Sequence, residues 1–137
     1  MEAQGIVIDT DVLILLEKRR KTEKLLNFYE TYITFVTLYE YIRGLRKKGK
    51  AEKELNLIDK YLKKIFEVIW PTNKTLLIAS NIWSDLSNKG EILEDRDILI
   101  AALCIERDMP LWTLNKKHFE RLTQYGLKLI DLSSRIL

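Results

Sequence analysis

Short apolar runs that stop at polar turns alternate along the chain with stretches whose apolar residues recur every three or four positions, the patterns of strands and helices respectively. Gly5 to Asp9 predicts the first strand, an apolar run before a polar turn. Val12 to Arg20 and Thr22 to Glu30 predict a helix or helix pair, with Lys18-Arg19-Arg20-Lys21 placed where cations suit a helix C-terminus. Tyr32 to Val36 (YITFV) is β-branched and aromatic, hence a second strand. Thr37 opens a helix running to about Lys48, and Gly49 breaks it before another from Ala51 to Ile65. Glu67 to Trp70 is a short strand closed by Pro71. The helix begun at Thr72 carries Leu76, Ala79, Trp83 and Leu86 at helical spacing and ends at Gly90. Asp97 to Glu106 is a further helix, apolar almost all round and therefore central. Leu111 to Thr113 and Leu127 to Ile130 complete the strands.

Strands alternating with helices predict an α/β fold, a three-layer α/β/α arrangement with a mainly parallel central sheet. A chain of 137 residues fits a single domain over 1–137 with a real core. The longest uninterrupted apolar run is Val12 to Leu16, far short of a membrane span. No cationic stretch with an apolar segment and cleavage site opens the chain, so a signal peptide is not expected and a cytoplasmic protein is. A single cysteine, Cys104, excludes an internal disulfide and a Cys-rich metal site. Its neighbours Leu103 and Ile105 mark it as a small buried hydrophobe. Net charge of +3 changes little by itself, although the cations cluster at residues 18–21 and at Arg43, Arg46, Lys47, Lys48, Lys50 and Lys53. Solvated helix faces explain such clusters unless a polyanion binds nearby.

In a parallel α/β sheet the site lies at the carboxyl ends of the strands. Three acidic features fall there. Asp9 ends the first strand and Asp11 starts the helix after it; Glu40 lies one turn into the helix after the second strand; Asp95 and Asp97 (in EDRDILIAA) precede the apolar helix. Singly, most have a plain structural explanation. Asp11, Asp95 and Asp97 suit helix N-caps, and Thr37-Leu38-Tyr39-Glu40 has the form of a capping box. Asp9 does not fit that explanation, because it ends a buried strand, where a lone carboxylate must take a proton or find a cation. If the strands are parallel, Asp9, Glu40 and Asp97 rise to one edge, and converging carboxylates repel unless a hard cation joins them. Mg²⁺, which takes oxygen ligands and is commonly held by one or two carboxylates, suits that role.

The chain resembles the PIN-domain ribonucleases, specifically the VapC-type toxins of toxin–antitoxin pairs. The resemblance covers nearly the whole chain and rests on IVIDTDVLI, TLYEYIRGL, DILIAAL and PLWTLNKKHF. It implies that Asp9, Glu40 and Asp97 are metal-binding acids and that the activity is Mg²⁺- or Mn²⁺-dependent hydrolysis of RNA phosphodiesters. It also implies a small antitoxin bound over the acidic pocket and a homodimer. One departure stands out. Many PIN domains carry a fourth acid where this chain has Asn115, which weakens the case for a second tightly held metal. Asp95 or Asp11 could supply the charge instead. Thr10 and Thr113 are plausible donors to the acids or to a metal-bound water. Arg43, one turn after Glu40, and Lys116 could contact RNA phosphates, against the simpler reading of exposed cations. Tyr39 and Tyr41 could stack on a base, although core filling explains them as well. A lone His118 is more often a packed or surface residue than a catalyst.

Three other functions fit parts of the sequence. A haloacid-dehalogenase-type phosphatase also starts with a strand and Asp-x-Asp, but there a loop follows, and here Val12-Leu13-Ile14 runs straight into an apolar helix. Glu40 would have no task in it. A catalytically degenerate PIN scaffold and a PIN nuclease that matures RNA without an antitoxin are the other two.

Overall fold

The computed structural model describes residues 5–49, 56, 59 and 65–137. Four strands, β1 (Gly5–Ile8), β2 (Glu30–Thr34), β3 (Glu67–Ile69) and β4 (Leu111–Trp112), form an all-parallel sheet in the order β3-β2-β1-β4. The helices are α1 (Thr10–Arg19), α2 (Thr22–Phe28), α3 (Phe35–Lys47), α4 (Asn73–Asn88), α5 (Asp95–Arg107), α6 (Lys116–Phe119) and α7 (Ser133–Ile136), with a 3-10 segment at Glu120–Tyr125. The helix expected over 51–65 lies for the most part outside the described residues.

Alternation along the strands divides the core into two layers of side chains. Ile6, Ile8, Ile33 and Trp112 point to one face, where they meet Val12, Leu13 and Leu16 of α1, Leu25 of α2, and Ile136 of α7. Val7 and Leu111 point to the other and meet Ile82 and Leu86 of α4, Ile98 to Cys104 of α5, and Phe119. A parallel sheet buried on both faces needs near-continuous apolar strands, which GIVI supplies. The three-layer α/β/α arrangement follows, with α5 as the buried helix its all-round apolar character demands.

Several boundaries move. The second strand ends at Thr34 rather than at Val36, because the Thr34 hydroxyl caps α3 by accepting from the Thr37 backbone N–H at 3.3 Å. The capping box expected at Thr37–Glu40 therefore does not form, and both side chains are released for other contacts. Asp9, not Asp11, is the N-cap of α1; its carboxylate accepts from the Thr10 N–H at 2.8 Å. Asp95 and Asp97 both lie inside the first turn of α5, which is preceded by Glu94. The strand expected over Leu127–Ile130 reduces to one parallel bridge, Leu111 with Leu129.

The sheet order positions the site. The chain steps from β1 to β2 to β3 in one direction, then crosses back so that β4 pairs with β1 on the other side. The reversal opens a crevice beyond the carboxyl ends of β1 and β4, the usual ligand position in open parallel sheets.

Candidate active site

Asp9, directly after β1, and Thr113, directly after β4, face each other across that crevice: the Thr113 hydroxyl donates to Asp9 Oδ2 at 2.9 Å. Both are 2% exposed, as is Asp97. Glu40 reaches the same point from the first half of α3 and Asp97 from the first turn of α5. Thr10 closes the group, its hydroxyl donating to Glu40 Oε1 at 2.7 Å and lying 3.1 Å from the Thr37 hydroxyl. The Asn115 backbone N–H donates to Thr113 Oγ1 at 3.1 Å, so the loop after β4 holds Thr113 in place.

Arg96 sits among the three acids. Its Nη2 donates to Asp9 Oδ1 at 2.8 Å and to Glu40 Oε1 at 2.8 Å, its Nε to Glu40 Oε2 at 3.0 Å, and its Nη1 to Asp97 Oδ1 at 2.7 Å. One guanidinium thus spends its fork on three carboxylates, two of them almost wholly withdrawn from solvent. Burial alone would raise the pKa of Glu40. The hydrogen bonds from Arg96 and Thr10, with the charges of Arg96 and Arg43, outweigh burial and hold the carboxyl below its ordinary value. Asp11 moves the other way: burial and the neighbouring Asp9 charge raise its pKa, against hydrogen bonds from the backbone N–H groups of Leu114 and Val12.

The other expected residues divide clearly. Asp95 is exposed and lies 200° around α5 from Asp97 at helical spacing, where it lines the cleft between α4 and α5 with Leu76 and Trp83; it does not join the three acids. Asp11 accepts from the Val12 and Leu114 N–H groups at 2.7 and 3.4 Å, facing the loop that carries Asn115. Arg43 lies over the Tyr39 ring with its Nη2 3.8 Å from Glu40. Lys116 is tied to Asp131 at 2.7 Å. Tyr41 donates to Glu17 at 3.0 Å, a structural bond rather than a free stacking face. His118 is more than a surface residue, because its Nδ1 stands 3.5 Å from Asp97 Oδ2. Arg96 is the site residue that sequence reasoning passed over, although a cation set between two acids in EDRD was a signal; Thr37 was assigned to a capping box and His118 to packing or the surface.

The donor set suits a hard divalent cation: three carboxylates already converge on one positive charge, and burying such charges is costly unless a cation accompanies them. Among the described residues no three acidic, histidine or cysteine side chains stand arranged to hold an ion as they are.

The PIN domain family's sequence model matches residues 6–124, and the chain belongs to that family, in its VapC branch. It is 38% identical over 130 residues to Ribonuclease VapC1 of Methanocaldococcus jannaschii, covering 95% of this chain and 90% of that one. VapBC-1 from nontypeable Haemophilus influenzae shares the fold with a TM-score of 0.78 at 25% identity, over 93% of this chain and 98% of that chain. VapBC-5 of Mycobacterium tuberculosis, a member of the VapBC family of toxin–antitoxin systems, matches with a TM-score of 0.68 at 19% identity over 93% of this chain and 98% of that one, a likeness of fold. Among the described residues no helix is long and apolar enough to cross a membrane.

Proposed function

We propose that the chain is an endoribonuclease dependent on Mg²⁺ or Mn²⁺, the toxin of a toxin–antitoxin pair, and that Asp9, Glu40 and Asp97 hold the ion. The observation that carries the reading is the convergence of these three acids on one cation at the carboxyl edge of the sheet. The ribonuclease name of the Methanocaldococcus jannaschii relative supports RNA as the substrate, and the likeness to VapBC-1 supports an antitoxin partner; its small size and its seat over the acidic pocket belong to the proposal. A homodimer belongs to the same proposal and is read by sedimentation velocity.

A bound divalent ion supplies a water of lowered pKa and offsets negative charge on the phosphodiester oxygens. The chain's own residues do the rest. Thr113 engages Asp9 Oδ2 and leaves Oδ1 turned into the crevice; Thr10 fixes one oxygen of Glu40. Both restrict the rotamers of carboxylates that must keep one geometry through the reaction. Arg43, exposed beside Glu40 and stacked on Tyr39, is placed to meet an RNA phosphate. Lys116 already has Asp131 as its counter-ion and is the weaker phosphate contact.

The phosphatase alternative loses its footing, since α1 begins at Thr10 with no loop after Asp9, and Asp11 is committed to backbone donors. Asp9→Asn keeps a helix cap and Glu40→Gln keeps the side chain's size. Each variant is expected to fold and to lose at least about a hundredfold in RNA cleavage, with wild-type cleavage abolished by chelator and restored by Mn²⁺. Metal-independent cleavage, or full activity in both variants, contradicts the reading. An RNA-maturing nuclease without an antitoxin would share this chemistry, and the neighbouring gene separates the two.

A further inference from the structure

Arg96 occupies the space where the acids converge, so it and a divalent ion cannot both sit there. We propose that Arg96 is the built-in counter-cation of the site: its guanidinium neutralises Asp9, Glu40 and Asp97 when no metal is bound, competes with the ion for the same oxygens, and must swing out for the ion to enter. This rests on the metal-site reading above and adds a competitor to it.

Two observations carry it. First, the fork makes four charge-assisted hydrogen bonds to three carboxylates, including the Oδ1 of each aspartate, which leaves the metal-facing oxygens already engaged. Second, Arg96 is the most exposed member of the group: its side chain is 28% exposed, against 16% for Glu40, 3% for Asp9 and 2% for Asp97, so of the four it is the one nearest solvent. It lies in the first turn of α5, and the outward movement proposed is a change of side-chain rotamer. Three carboxylates packed together without a cation repel one another, and a metal-free site lacking Arg96 keeps only Arg43, at the Glu40 side, as a neighbouring guanidinium. When the ion enters, the released guanidinium stands at the mouth of the crevice beside Arg43.

The consequence is quantitative. If Arg96 closes the site in nine metal-free molecules of ten or more, the apparent affinity for metal falls at least about tenfold, because only the open fraction binds. Removing the guanidinium restores that loss. Calorimetric titration of Mn²⁺ into chelator-stripped protein reads it without reference to activity. Arg96→Gln is expected to bind Mn²⁺ at least about tenfold more tightly than wild type, and to melt at a lower temperature than wild type in chelator while recovering in Mn²⁺. Arg43→Gln removes a cation beside Glu40 without vacating the site and is expected to change the affinity much less.

Should Arg96→Gln fail to fold without metal, Arg96→Lys serves instead. An ammonium keeps the charge but lacks the fork that reaches three acids at once, and it too should tighten Mn²⁺ binding. Equal or weaker binding by the foldable Arg96 variant, with wild type binding Mn²⁺ and Asp9→Asn not, overturns the competition while leaving the metal site standing. Equal tightening in Arg43→Gln also overturns it, since net charge rather than occupancy would then set the affinity. Binding to neither wild type nor any Arg96 variant overturns both readings together.

Discussion

Asp9 shows how one residue serves structure and site at once. Oδ1 takes the Thr10 N–H as a helix cap and also a bond from Arg96, while Oδ2 takes the Thr113 hydroxyl. The sequence marks it correctly as a carboxylate that must find a cation, but treats capping and cation binding as exclusive, and they are not. Glu40 and Asp97 were legible for the same reason: strand-to-helix position is a local pattern. Arg96 was not, because nothing in EDRD says whether the arginine side chain turns outward or folds back over residues 87 and 56 positions away. The Thr113 hydroxyl tests this description of Asp9. Thr113→Val keeps the shape and leaves a buried charged acceptor one donor short, so it should cost about 2 kcal/mol in urea unfolding. A change under about 0.5 kcal/mol would mean that the bond adds nothing net.

At the scale of elements, type and order were readable from periodicity, and boundaries were set by capping that the pattern does not reveal. YITFVT continues as a good strand by propensity, yet Thr34 ends it because its hydroxyl satisfies the first turn of α3. That two-residue shift matters for chemistry. Starting α3 at Phe35 frees Glu40 from a cap and turns it toward Thr10 and Arg96. The short segment near Leu129 looked like a strand for its apolar residues, but only one bridge to Leu111 holds it. Two helices end on a non-glycine residue in the left-handed region, Arg20 after α1 and Asp108 after α5, and Arg20 gives the test. Arg20 closes α1 at φ 54, exposed, in the left-handed region that costs a residue with a Cβ about 1 kcal/mol. Arg20→Gly should therefore raise stability by up to about that amount, measured as a higher denaturant midpoint at unchanged slope. A lower midpoint would show that Arg20 makes contacts worth more than its strain.

For the whole molecule, the sheet order does the decisive work. Had β4 paired on the far side of β3, Thr113 would not meet Asp9, and the loop carrying Asn115 would lie strands away from the acids. Instead the crossover from α5 to β4 brings Asp97 and Thr113 to β1 together. Nothing in a single apolar run announces that order; the expectation of a parallel sheet with its site at the carboxyl edge came from the α/β alternation alone. The resemblance through IVIDTDVLI, TLYEYIRGL, DILIAAL and PLWTLNKKHF supplied what alternation could not, and the family match over residues 6–124 bears it out. If Asp9, Glu40 and Asp97 together bind a divalent ion, anomalous scattering from crystals of the chain grown with Mn²⁺ will locate it. One strong peak bounded by oxygens of all three acids is expected, with the Arg96 guanidinium turned away. A peak elsewhere, or an Arg96 still bonded to all three carboxylates at saturating Mn²⁺, would contradict it.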